Sequence, residues 1–187
     1  MARQRLKTRS CVSQIEMSTK FVSGQVRDLT EAMKAMRKAR TGESFVRIND
    51  LGSVERWIIE VWTDASLYTL NNGMNSTRPV LIILVNERGV CVPILWQANQ
   101  IKCIVRSTLE AECLALVEGL SKGVYFREII EEIMGLQERT IPIRAIIDNK
   151  STLDAIHSTS AVSDKRLRRD IGIIKQMLNE GQINSIT

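Results

Sequence analysis

Three carboxylates stand where an apolar run gives way or a helix opens: Asp64, Glu112 and Asp148. Asp64 closes the stretch Trp57-Ile58-Ile59-Glu60-Val61-Trp62-Thr63, rich in β-branched and aromatic residues and free of Gly and Pro. Such a stretch reads as a buried strand presenting an acid at its end. Asp148 closes a second, nearly all-apolar run, residues 143–147, the pattern of a strand covered on both faces. Glu112 follows Ser107-Thr108-Leu109-Glu110, a capping box with Ser107 as N-cap and Glu110 reaching back. It lies three residues after Leu109 and four before Leu116, on the sheet-facing side of its helix within the first two turns. Acids that meet without Lys or His partners raise one another's pKa unless a divalent cation neutralises them. Oxygen-only ligands suit Mg²⁺ or Mn²⁺, and the chemistry they serve is metal-assisted phosphoryl transfer, with two ions about 4 Å apart.

Each acid also has an ordinary structural use. Asp64 can begin an Asx-turn, Glu112 can complement a helix dipole, and Asp148 can cap the helix that follows it. Their joint placement points to function. A glycosidase pair would need a sugar cleft, of which the sequence gives no sign. A Ser or Cys triad would need His157, the chain's one His, which follows a short helix and is expected to face solvent. There is no Gly-rich phosphate loop. Cys11, Cys91, Cys103 and Cys113 share no C-x-x-C spacing and read as reduced thiols of an intracellular protein.

The elements that must position these acids follow from periodicity. After the first strand, Asn71-Asn72-Gly73 marks a turn, residues 80–85 a second strand, Asn86-Glu87-Arg88-Gly89 a hairpin turn and residues 90–96 the return. Pro93 makes that return an edge strand or a bulge. Residues 101–106 read as a further extended piece. The helix after Ser107 is expected to kink or break at Gly119 and Gly123, and a second helical stretch, residues 124–134, to stop at Gly135. Short and long helices over 151–156 and 165–180 and the start of a strand at 183–187 complete the order. Three antiparallel strands, a helical crossover and a buried strand imply that the fourth strand lies parallel beside the first, with both carboxyl ends on one edge. Asp64, Glu112 and Asp148 can then converge.

At 187 residues, with 44% hydrophobic and 25% charged residues, the chain can bury a core without staples, and collagen-like, mucin-like and disordered classes drop out. Its longest aliphatic run, residues 80–85, is far too short to cross a bilayer. The N-terminal ten residues lack the apolar core of a secretory signal. Net charge is +5, but residues 1–40 hold ten Lys or Arg against three acids and the remainder sixteen against eighteen. A basic front segment beside a slightly acidic domain suits a nucleic-acid partner, as it suits a merely solvated face. Within the front segment Val26, Leu29, Met33 and Met36 mark an amphipathic helix over residues 26–39. The turn-rich residues 49–53 set a boundary between segments 1–53 and 54–187.

On four motifs the sequence resembles the ribonuclease H domain of a copia-type LTR-retrotransposon Pol polyprotein. They are Val61-Trp62-Thr63-Asp64-Ala65-Ser66, Arg106-Ser107-Thr108-Leu109-Glu110-Ala111-Glu112, Ile147-Asp148-Asn149-Lys150-Ser151 and Ser163-Asp164-Lys165-Arg166-Leu167-Arg168-Arg169-Asp170-Ile171. They occur in the family's order over residues 57–187, and residues 1–53 resemble the reverse transcriptase's connection segment. The resemblance implies an α/β, ribonuclease H-like mixed five-stranded sheet with helices on both faces, incomplete at its C-terminus. It implies Asp64, Glu112 and Asp148 as catalytic, metal-binding residues, Mg²⁺ or Mn²⁺ as cofactor in two ions, and an RNA·DNA hybrid whose RNA strand, identified by its 2′-OH, is cut. The partners implied are that hybrid or other nucleic acid and the rest of a reverse-transcriptase polyprotein, with no membrane. The compartment is intracellular, cytoplasmic or within virus-like particles. The family's fourth acid lies beyond this sequence; Asp170 matches a different family position. Residues 74–79 depart from the family's small, glycine-rich pattern, and Pro79 is expected to disturb the second strand's start. The alternative is an inactive retroelement relic that at most binds nucleic acid.

Overall fold

The computed structural model describes residues 33–34, 50–70, 75–158 and 162–187. The chain divides into units Met1–Arg47 and Ile48–Thr187, and the second carries the features below. Of the expected amphipathic helix over residues 26–39, only Met33 and Lys34 are described, and both are helical. The rest of the basic arm, Cys11 and the turn at Asn71-Asn72-Gly73 lie outside the described residues.

Strand β1 (Trp57–Thr63) pairs antiparallel with β3 (Asn75–Asn86), from Trp57 opposite Asn86 to Thr63 opposite Val80. The chain then breaks at Asp64 and Ala65, and β2 (Ser66–Leu70) pairs onward with β3, Ser66 opposite Thr77 and Leu70 opposite Asn75. Strand β4 (Cys91–Gln100) takes one edge of β3 from Thr77 to Val85, so β1 and β2 share the other. That interruption is why the sheet has six strands where five are expected. It falls on the first candidate acid.

Two prolines fare differently from one another. β3 starts at Asn75 and runs through Pro79, earlier than the expected residue 80. The Pro79 carbonyl accepts from the Asp64 N–H at 3.4 Å, and in an antiparallel strand a residue's nitrogen and carbonyl face the same edge. The donor that Pro79 lacks therefore falls at the β1/β2 break, where the ladder is interrupted anyway. On β4, Ile82 opposes Leu95 and Ile83 opposes Pro93, so Ile94 is the extra residue of a bulge beside the edge-strand proline, as its position foretold. Residues 101–106 are irregular and form no strand; Ile101 is tied by its N–H to the Ser76 carbonyl at 2.8 Å.

Helix α1 (Thr108–Met134) is continuous over 27 residues, with no break at Gly119 or Gly123. A Cβ on Gly119 would lie 2.5 Å from Thr63 Cγ2 and 3.0 Å from Val61 Cγ1, and one on Gly123 2.7 Å from Val61 Cγ2. The glycines let the helix press onto β1. Strand β5 (Ile143–Ile146) runs parallel beside β1, from Ile143 opposite Ile59 to Ile146 opposite Trp62, and β6 (Ser185–Ile186) lies parallel beyond it. Helices α2 (Lys150–His157) and α3 (Lys165–Asn179) pack with α1 and with each other. The result is a mixed α/β sheet, antiparallel at one side and parallel at the other.

Ile59, Val61, Val80, Ile82, Ile143 and Ala145 meet Leu116 and Leu120 of α1 in the main core. On the opposite face Trp62 and Trp96 are 41% and 56% exposed. β5 alternates buried Ile143 and Ala145 with half-buried Arg144 and Ile146. It is thus fully covered on one face only, because Arg144 reaches across to Glu60 in place of an apolar neighbour.

Candidate metal centre

The pairing of β1 with β5 keeps one offset from Ile59/Ile143 to Trp62/Ile146. Two residues further, the same offset sets Asp64 level with Asp148. Each strand delivers its acid to the same edge because parallel strands end together. Glu112 reaches that edge from above. It shares a helix stripe with Gly119 and Gly123, seven and eleven residues on. Since those glycines lie over Thr63 and Val61, the preceding turns of α1 project past the end of β1.

The three carboxylates offer oxygens that all lie within 4.8 Å of one another. Asp64 and Asp148 are exposed, whereas Glu112 is 4% exposed and its Oε2 has no hydrogen-bond partner among the described residues. Burial, then the Asp64 charge, push the Glu112 carboxyl up to about 7, with Asp148 adding to them against the Ala65 N–H. Asp64 is raised too, by burial first and by Asp148 second. A buried oxygen without a donor, with two further carboxylates repelling it, fits a hard divalent cation. Asp64, Glu112 and Asp148 are the residues that could hold it.

The ordinary uses of these acids fall away in part. The cap of α2 is Asn149, whose side chain accepts from the Thr152 N–H at 3.1 Å, so Asp148 is not the cap. Glu110, not Glu112, serves the start of α1. Ser107 accepts from the Glu110 N–H at 3.1 Å, and Glu110 Oε2 accepts from the Arg106 N–H at 2.7 Å, one residue before the expected target. His157 is exposed at the end of α2, away from any triad. Asp170 is buried on α3, its Oδ1 3.3 Å from Arg169 Nε, and stands outside the cluster. The thiol of Cys113, next to Glu112, is pushed up to about 12 by burial and then by Asp170 and Glu112.

Sequence reasoning missed the part played by Gly119 and Gly123, reading them as interruptions. The signal that would have found them is their four-residue spacing on the stripe that also carries Glu112 and Leu116.

No family model matches the sequence, and no curated protein does. Among solved structures the chain is similar to ribonuclease H1 of the halophilic archaeon Halobacterium salinarum, at 18% identity over 69% of this chain and 83% of that one, TM-score 0.43. It is similar to LC11-RNase H1 in complex with an RNA/DNA hybrid, at 14% identity over 68% and 81%, TM-score 0.45. The protease-reverse transcriptase of prototype foamy virus is a third, at 12% identity over 77% of this chain and 19% of that one, TM-score 0.47.

Proposed function

We propose that this chain is a metal-dependent endonuclease of the ribonuclease H type, cutting the RNA strand of RNA·DNA hybrids during reverse transcription of a copia-type retroelement. The observation that carries the reading is the convergence of Asp64, Glu112 and Asp148 around a buried, partnerless Glu112 oxygen. The motif resemblance supplies the substrate and the retroelement setting. Residues 1–53 are then connection segment and residues 54–187 the nuclease domain. Mg²⁺ or Mn²⁺, in two ions, would supply charge neutralisation at the phosphate and a water of lowered pKa.

The chain's own residues do the rest. Asp64 and Asp148, exposed at the sheet edge, are open to a phosphodiester. Glu112, buried on α1, supplies the third carboxylate. Asp64 and Ala65 lie between the end of β1 and the start of β2, and the acid there faces Glu112.

The test is cleavage of a labelled RNA·DNA hybrid in Mg²⁺ and in Mn²⁺, with binding measured on the same samples and Asp64→Asn as control. Cutting that needs metal and is lost in the variant is the expected result. Cutting that persists unchanged in Asp64→Asn would overturn the assignment. Binding without cutting by the unaltered chain would favour the second reading, an inactive relic, which the three-acid cluster motivates because the resembled family uses four.

A further inference from the structure

Residues 41–187 hold more acids than bases, yet the fold gathers cations at one corner. Helix α3 opens with Lys165, Arg166, Arg168 and Arg169 in its first five residues, and its first turn contains no acid. Cations there oppose the helix macrodipole, so helix stability does not account for them. The Asp164 carboxylate among them is occupied as N-cap, accepting from the Arg166 N–H at 2.8 Å and the Leu167 N–H at 3.1 Å. The helix amides are therefore already served, and the charge on offer is that of the side chains.

Those side chains are oriented without being neutralised. Arg166 Nη1 donates to the Ile104 carbonyl at 3.3 Å and Arg168 Nε to the Val162 carbonyl at 2.8 Å, both uncharged acceptors. A guanidinium has five N–H donors, so outward-facing ones remain. Arg169 differs, being paired with the buried Asp170. A second element adds to the patch. The irregular loop before α1 carries exposed Lys102 and Arg106, and Arg106 lies near enough to Asp164 for its charge to join the Leu167 and Arg166 N–H groups in lowering that acid. Residues 101–107 and 164–169 together hold six cations and one carboxylate.

The corner adjoins the carboxylate cluster through the core. Leu167 and Ile171 of α3 are buried with Cys113, the residue after Glu112. We propose that Lys165, Arg166 and Arg168, with Arg106 and Lys102, form a phosphate-binding strip that holds the backbone of a nucleic-acid duplex beside Asp64, Glu112 and Asp148. The proposal rests on the nuclease reading for its setting, but its chemistry, cations fixed to receive a polyanion, stands apart from cleavage.

The experiment measures binding of a fluorescent RNA·DNA hybrid and of a DNA duplex of the same sequence to the whole chain, in EDTA, across a salt series. Lys165→Gln/Arg166→Gln is compared with Arg56→Gln/Arg88→Gln, an equal loss of charge at the far end of β1. The strip predicts that the first pair lowers the slope of log K against log salt by about 2 and weakens binding roughly tenfold or more at 0.1 M salt, one counterion release being lost per phosphate contact. The control pair should leave both within error. Lys165→Glu/Arg166→Glu puts acids where the dipole favours them, so it should fold at least as well and bind more weakly still. Equal slopes and affinities for the first pair and the unaltered chain would overturn the strip, as would an unaltered chain that binds neither duplex. Strip-dependent binding with no cleavage in any metal would keep the strip and sink the nuclease reading; cleavage with strip-independent binding would do the reverse.

Discussion

Two glutamates on the same helix, Glu112 and Glu131, are both 4% exposed, yet their surroundings are opposite. Glu131 Oε2 accepts from the Arg139 N–H at 3.0 Å and its Oε1 from the Ile141 N–H at 2.8 Å. Arg127 nearby donates to the Gln182 carbonyl at 2.7 Å. That corner ties the end of α1 to the segments flanking β5. Glu112 at the other end has an oxygen with no donor and two carboxylates for neighbours. Equal burial thus conceals one acid whose partners the fold supplies and another, the proposed metal ligand, with an oxygen it leaves unpartnered. What separates them is whether the fold has already provided the partners that a buried carboxylate needs.

The largest effect should come from removing the charge at the unsatisfied end. Glu112→Gln is expected to lower hybrid cleavage by at least about 100-fold, the upper end of what losing an outer-shell partner costs a metal site, while the unfolding midpoint in EDTA stays level or rises. A fall in that midpoint as large as the fall in activity would mean that Glu112 is structural after all.

The pH dependence sharpens the same contrast. In the folded chain Glu112 keeps its proton to about 7, whereas unfolded it loses it near its ordinary value. Folding therefore holds a proton between those two limits, and metal-free stability should fall as pH rises from about 4.5 to 7, by on the order of 3 kcal/mol. Urea unfolding in EDTA at several pH values checks this, with Glu112→Gln expected to flatten that part of the profile. Mg²⁺ or Mn²⁺ should restore stability at pH 7, and no recovery on adding metal would argue against a cation site.

Glu131→Ala, by contrast, orphans the buried Ile141 N–H at a cost of about 1–3 kcal/mol and frees the part-buried Arg139 N–H as well. It should lower the unfolding midpoint whether or not metal is present, and leave cleavage per folded molecule unchanged.

The smallest effects separate positioning glycines from idle ones. Gly119→Ala puts a methyl into Thr63 and should cost about 1–3 kcal/mol by overpacking, with lower cleavage as α1 lifts from β1. Gly172→Ala on α3 meets nothing within 4 Å and should gain up to about 1 kcal/mol from helix propensity. Thermal unfolding of the two variants side by side decides the point, and equal shifts would break the distinction.

Much of this was legible in the residues. Apolar β-branched runs, turn residues, a capping box and helical stripes located β1, the hairpin of β3 and β4, the start of α1 at Ser107, its stop at Gly135, and α3. Pro93 announced the bulge on an edge strand. The unbroken α1 was not legible, because a glycine that interrupts a helix and one that lets it approach a strand look alike until the strand is in place. The course of β3 through Pro79 was hidden for a related reason. A missing donor matters only where a partner is waiting, and the β1/β2 break removes the partner. The basic corner was concealed by summing charge along the chain, when Arg106 and Arg166 come together about Asp164 only across the fold.

The sequence by itself determined which elements form and which acids stand at their ends, since local periodicity and capping act over a few residues. It also determined the order in which parallel strands could align Asp64 with Asp148. Only the tertiary structure decided that Glu112 is buried with one oxygen left without a donor while both oxygens of Glu131 are served. Hydrogen-bond satisfaction depends on groups such as Arg139 and Ile141, brought together by packing and far from predictable in their geometry along the chain. The same holds for how closely α1 sits on β1, which is set by atoms facing each other across two elements rather than by either element alone.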